Sequence, residues 1–128
     1  MSDFGKLLTA VITPFDNNGV LNTDTLWRLC KKLVHEKSDG LVLSGTTGES
    51  PNLTKEDRKI IYSTAKDSVG DKAKIIAGTG TYSTRESIEY TKMANDIGVD
   101  GIMIVTPYYS KPSQLSLIHI SEPTRHCT

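Results

Sequence analysis

The residues able to do chemistry are hydroxyls, and they cluster in short polar stretches. Thr46 and Thr47 stand between glycines in Gly45-Thr-Thr-Gly-Glu-Ser50, and Thr79 stands between Gly78 and Gly80. Thr106, Tyr108 and Tyr109 follow the last apolar run. Threonine and tyrosine hydroxyls relay protons and bind carboxylates, but unaided they are poor nucleophiles. The flanking glycines admit backbone conformations closed to other residues and let a ligand come close. Bare amides and neighbouring hydroxyls would then make a small anion cradle. Singly, each hydroxyl is more often structural. Gathered at one rim, they suit a carbonyl or carboxylate substrate, with an amine or metal supplied from elsewhere.

Other chemistries fit less well. Gly78-Thr-Gly-Thr-Tyr-Ser83 opens like a dinucleotide fingerprint but has serine where the third glycine belongs. The 45–50 stretch lacks the Gly-Lys-Ser/Thr ending of a P-loop. No metal site is expected, because His35 falls on a helix surface and His119, His126 and Cys127 fall in the final tail. No Ser-His-acid set follows the apolar runs.

The elements that must position these hydroxyls are legible as a repeat. Four apolar runs, at 7–12, 41–43, 75–77 and 102–105, are continuous rather than alternating, which suits parallel strands covered on both faces. Three helical segments separate them. The first carries a stripe of Leu26, Leu29, Cys30, Leu33 and Val34 behind a cap at Asn22 or Thr23. The second opens with a capping-box-like Thr54-Lys-Glu-Asp57 and ends at Val69 before Gly70. The third opens with the capping box Ser83-Thr-Arg-Glu86 and ends at Ile97 before Gly98. Asp39-Gly40-Leu41 and Asp100-Gly101-Ile102 echo each other at strand starts. The pattern is β-α-β-α-β-α-β, a parallel α/β fold, either an open sheet or a (β/α)8 barrel. A barrel takes about 250 residues, so 128 would supply half of one. The polar stretches all follow strands, on the face where both folds keep their sites.

Composition narrows the class further. Fifteen basic and fifteen acidic residues cancel, leaving no bulk field for nucleic acid or an anionic membrane. No run approaches the ~20 apolar residues of a membrane span, and the N-terminus shows no secretory pattern. Two cysteines make no disulfide framework, so a cytoplasmic location is expected.

With these residues in place, a resemblance emerges. Gly45-Thr-Thr-Gly-Glu-Ser50 and Val105-Thr-Pro-Tyr-Tyr-Ser-Lys-Pro-Ser-Gln114 resemble the dihydrodipicolinate synthase family, with motif spacing that fits from about Leu7 to Gln114. The first motif is shared with the wider pyruvate-dependent aldolases, including N-acetylneuraminate and keto-deoxy sugar acid lyases; the Tyr-Tyr-x-Lys-Pro-Ser-Gln loop is more specific. The resemblance implies the N-terminal half of a (β/α)8 TIM barrel over residues 1–114. It also implies a lyase that condenses pyruvate with aspartate semialdehyde on the way to diaminopimelate and lysine. A lysine on a later strand would form a Schiff base with pyruvate, no cofactor would be required, and the protein would assemble as a homodimer or homotetramer. Carried over by motif, Thr47 matches the residue holding the pyruvate carboxylate and Thr46 the hydroxyl linking two tyrosines in a proton relay. Tyr109 matches the tyrosine that reaches the neighbouring subunit's site. In lysine-inhibited relatives the effector lies near positions matching Ser50, Lys55, Arg58, Tyr82, Glu86 and Tyr108. Ser50, Glu86 and Tyr108 fit that role, whereas Lys55 and Arg58 replace histidines of a sensitive pattern.

Residues 115–128, Leu-Ser-Leu-Ile-His-Ile-Ser-Glu-Pro-Thr-Arg-His-Cys-Thr, resemble nothing in that family. They read as the translation of a transposon-end sequencing adapter fused to a truncated gene. The Schiff-base lysine, the second relay tyrosine and an arginine at the site mouth would then have no counterparts here. Among the present lysines, Lys31, Lys32, Lys37, Lys55, Lys59, Lys66 and Lys92 are expected on helices, and Lys6, Lys72 and Lys74 on the wrong face. Lys111 is on the correct rim, with nothing evident to desolvate it. The 128-residue chain is therefore expected to be inactive; the alternatives are a fragment of another pyruvate-dependent aldolase, an N-acetylneuraminate or keto-deoxy sugar acid lyase, or a non-catalytic module that binds a small acid or a partner chain.

Overall fold

The structure, a computed structural model, describes residues 4–106; Tyr108, Tyr109, Lys111 and the segment 115–128 lie outside the described residues. Strands β1 (Leu8–Ala10), β2 (Gly40–Leu43), β3 (Lys74–Gly78) and β4 (Gly101–Met103) alternate with helices α1 (Thr23–His35), α2 (Lys55–Val69) and α3 (Thr84–Ile97). All strand pairs are parallel, and the sheet order is β1-β2-β3-β4. A dinucleotide-binding open sheet reverses its strand order at a switch point. This sheet does not, and sequential order is that of a barrel wall.

The helices start where local chemistry dictates. Asn22 caps α1 through Oδ1, which accepts from Thr25 N at 3.0 Å. Thr54 and Asp57 form a complete capping box at α2, with 3.0 and 3.1 Å bonds in each direction. The box expected at α3 is only half made: Ser83 Oγ accepts from Glu86 N, but Glu86 Oε1 accepts instead from Tyr90 Oη at 3.1 Å. Gly98, left-handed at φ +94°, closes α3 as expected. Lys37 was expected on a helix but lies beyond the α1 cap Glu36, in the left-handed region at φ +81°.

The core lies between the helices and one face of the sheet. Leu41, Leu43, Ile75, Ala77 and Ile102 pack with Leu26 and Cys30 of α1, Ile61, Tyr62 and Ala65 of α2 and Ala94 of α3. Each fully buried leucine there contributes about 2 kcal/mol. The other face is different. Leu8, Ile12, Met103 and Val105 are 42, 56, 36 and 38% exposed, so among the described residues the expected cover on both faces is only partial there, with Ile76 buried on the same face. Sequential order explains it: the helices share one core on one face, and the opposite face is the inner wall of a cylinder.

Candidate functional site at the carboxyl ends of the strands

The loop after β2 is built under strain. Ser44 and Glu49 take left-handed backbone at φ 58° and 60°, each costing on the order of 1–3 kcal/mol. The glycines between them were expected to supply such conformations, yet neither Gly45 nor Gly48 has a positive φ. Their smallness serves close packing instead. A Cβ on Gly48 would lie 3.0 Å from the Val11 carbonyl and 3.1 Å from Thr13 Oγ1, and one on Gly45 3.2 Å from Met103 Cε. Within the loop, Gly45 O accepts from Gly48 N at 3.0 Å and from Ser50 N at 3.2 Å. Thr13 Oγ1, buried beyond β1, donates to Gly48 O at 2.6 Å and pins the turn from the neighbouring strand.

A cleft of about 230 Å³ opens beside this turn. It is lined by Ser44, Gly45, Thr46, Ser50 and Pro51 of the turn, by Gly78 and Gly80, and by Met103 and Val105. Thr46 and Thr47 are both exposed, and among the described residues no hydrogen bond engages their hydroxyls or backbone N–H groups. The turn thus presents amide and hydroxyl donors to solvent at the strand ends, as a carboxylate cradle requires. Among the described residues no lysine lines the cleft, and no cluster of three His, Cys, Asp or Glu side chains is placed to hold a metal.

The expected hydroxyl set is thinner than its sequence suggested. Thr79 is fully buried, and its Oγ1 lies 2.6 Å from Thr91 Oγ1 of α3. It ties β3 to α3 and does not face the rim. Thr106 is exposed, Thr46 lines the cleft, and Thr47 sits beside it. Tyr108 and Tyr109 lie outside the described residues.

A buried network behind the loop was not foreseen. Arg58, 1% exposed, donates from Nη2 to Ser50 O at 2.8 Å and Ser50 Oγ at 2.9 Å, and from Nη1 to Gly78 O at 3.0 Å. Its guanidinium lies 4.4 Å from the centre of the Tyr90 ring. Tyr62 Oη also donates to Gly78 O, at 3.2 Å. Burial raises the pKa of the Tyr62 and Tyr90 hydroxyls, for Tyr90 with help from the Glu86 carboxylate, so both remain protonated donors. Ser50 and Glu86, expected near one another, are linked through Arg58 and Tyr90. The signal in the sequence was an arginine on the apolar stripe of α2, three residues before Ile61 and four before Tyr62.

The sequence matches the model of the Dihydrodipicolinate synthetase family over residues 3–122. It is 52% identical over 112 residues to the 4-hydroxy-tetrahydrodipicolinate synthase of Desulforudis audaxviator, covering 88% of this chain and 38% of that protein. The fold superposes on dihydrodipicolinate synthase DapA-2 of Bacillus anthracis with a TM-score of 0.90 and 40% identity, over 100% of this chain and 44% of that one. The enzyme of Cyanidioschyzon merolae with lysine bound gives a TM-score of 0.89 at 36% identity, over 94% of this chain and 43% of that one. The chain spans about two fifths of the length of the relatives it matches. The described sheet and helices are the N-terminal half of a (β/α)8 barrel, and the chain belongs to the dihydrodipicolinate synthetase family.

Proposed function

We propose that this sequence is the N-terminal part of a 4-hydroxy-tetrahydrodipicolinate synthase, a cytoplasmic enzyme that condenses pyruvate with aspartate semialdehyde. The observation that carries this reading is the strained 45–50 turn, which offers unengaged donors of Thr46 and Thr47 beside a cleft at the strand ends. Thr47 and the adjacent amides hold the pyruvate carboxylate. An amine from a later strand attacks the ketone carbon and expels water, leaving a protonated imine as an electron sink. The methyl carbon then loses a proton and its electron pair forms the bond to the aldehyde carbon, whose oxygen takes up a proton. Thr46 passes these protons between two tyrosines, one of them Tyr109 of the neighbouring subunit in a homodimer or a pair of dimers. The protein needs no cofactor and no partner beyond its own copies.

The test is chemical trapping. The full-length protein, incubated with pyruvate and borohydride and weighed intact, should gain one reduced pyruvyl group on a single lysine. Thr47→Val should raise the pyruvate concentration needed for half-trapping by roughly tenfold, the effect of losing a hydrogen bond to a charged group. No adduct on the unmodified enzyme would end this reading.

Ser50 and Glu86, with Tyr108, are the proposed contacts of a lysine effector. Ser50 Oγ already accepts from Arg58 and Glu86 Oε1 from Tyr90, while the Lys55 amine is paired with Glu89 at 2.6 Å. A cationic effector would have to displace donors already seated and approach Arg58. Lysine should therefore inhibit the full-length enzyme only weakly, and sub-millimolar inhibition in a rate assay would contradict this.

A further inference from the structure

We propose that Arg58 is a positioning residue for the carboxylate cradle, an inference that rests on the function proposed above. A buried cation is costly unless hydrogen bonds and charge compensate it. No carboxylate among the described residues forms an ion pair with Arg58. Its compensation comes from two backbone carbonyls, one serine hydroxyl and the face of Tyr90. Those acceptors lie on two different strand-end segments, Ser50 at the close of the cradle turn and Gly78 at the end of β3.

The geometry assigns a task to this expense. Ser50 N bonds to Gly45 O, so the 45–50 turn is a closed ring whose seam is at Ser50. Arg58 grips that seam with Nη2 and fixes it to β3 with Nη1. The planar guanidinium fork can hold both acceptors at once, and an ammonium cannot reproduce it. Arg58 itself is set by the first turn of α2, where Thr54 O accepts from Arg58 N at 3.1 Å. Cap, arginine, turn and strand end thus form one chain of contacts, and the amides of Thr46 and Thr47 are its output. Arg58 does not itself line the cleft; it acts through Ser50 and Gly78, which do.

A purely structural arginine would affect how much protein folds. A positioning arginine affects how well folded protein binds the keto acid. In the full-length enzyme, Arg58→Met should raise the pyruvate KM and the half-trapping concentration with borohydride about tenfold or more, while kcat falls by a smaller factor. Arg58→Lys, which keeps the charge and loses the fork, should fall between. Ser50→Ala removes one of three acceptors and should raise the same KM roughly twofold to threefold. Should Arg58→Met fail to fold, the lysine and serine variants carry the measurement. An unchanged KM in the variants that fold overturns the positioning role, whatever happens to kcat. An unmodified enzyme that traps no pyruvate at all overturns the function instead, and this inference falls with it.

Discussion

At the scale of single residues, the site is a contest between being satisfied and being available. Thr79 and Thr46 look alike in sequence, each beside a glycine after a strand. Thr79 turns inward to Thr91, twelve residues ahead on α3. Thr46 is exposed, and among the described residues its hydroxyl has no partner. Thr46→Val in the full-length enzyme should lower turnover about a hundredfold, the usual scale of a lost proton-transfer group, with little change in thermal stability. Near-normal turnover would remove Thr46 from any relay. Gly78 makes the opposite case, since a Cβ there would lie 2.7 Å from Ser44 O and 3.1 Å from Gly45 N. Both are backbone atoms of the cradle's root and cannot swing aside. Gly78→Ala should cost about 1–3 kcal/mol of stability and weaken pyruvate binding together, readable as a lower Tm and a higher KM. Loss of neither would show that the two strand ends leave room for a methyl group.

At the scale of elements, repetition was legible in the sequence and its reason was not. The echoed Asp-Gly pairs reveal their purpose only in space. Asp39 Oδ2 accepts from Lys6 N and Leu7 N, and Asp100 Oδ2 accepts from Ile75 N, so each aspartate ties its own strand to the start of the one before. Each following glycine leaves room on the inner face: a Cβ on Gly40 would lie 2.6 Å from Leu8 Cδ2, and one on Gly101 2.7 Å from Phe4 Cζ. Helices, caps and strand order were readable because period and capping are local. The Arg58 network was hidden because its acceptors sit at 50 and 78, on separate loops that only the fold brings together. The Leu7 and Lys6 amides hold the Asp39 carboxyl below its ordinary pKa. A depressed carboxyl stabilises the fold above its unfolded pKa, and that contribution is lost as pH falls through the folded value. Asp39→Asn should therefore lower stability near neutrality and flatten the decline toward acid in denaturant titrations of the full-length protein. Parallel acid limbs for the two proteins would show that Asp39 contributes no such linkage.

At the scale of the whole molecule, the exposed inner wall decides how the 128-residue polypeptide behaves alone. Leu8, Ile12, Met103 and Val105 face away from the helix-side core, and β1 and β4 are the edges of the described sheet. Unpaired edges and bare apolar surface both favour association. The core offers an internal reporter of the outcome. Cys30 is fully buried between α1 and its neighbours, and burial pushes its thiol up to about 11, so a folded core keeps it protonated and slow to alkylate. In the full-length protein Cys30 should resist iodoacetamide near pH 8 until denaturant is added. In the isolated 128-residue chain it should alkylate far faster, alongside dye binding and concentration-dependent association. Borohydride with pyruvate should leave that chain unmodified, because no lysine among the described residues lines the cleft. A monomer with sharp amide signals and a protected Cys30 would show that four strands and three helices suffice to hold the half-barrel. A pyruvyl adduct on one lysine would show that the chain supplies its own amine, with Lys111 the first position to map.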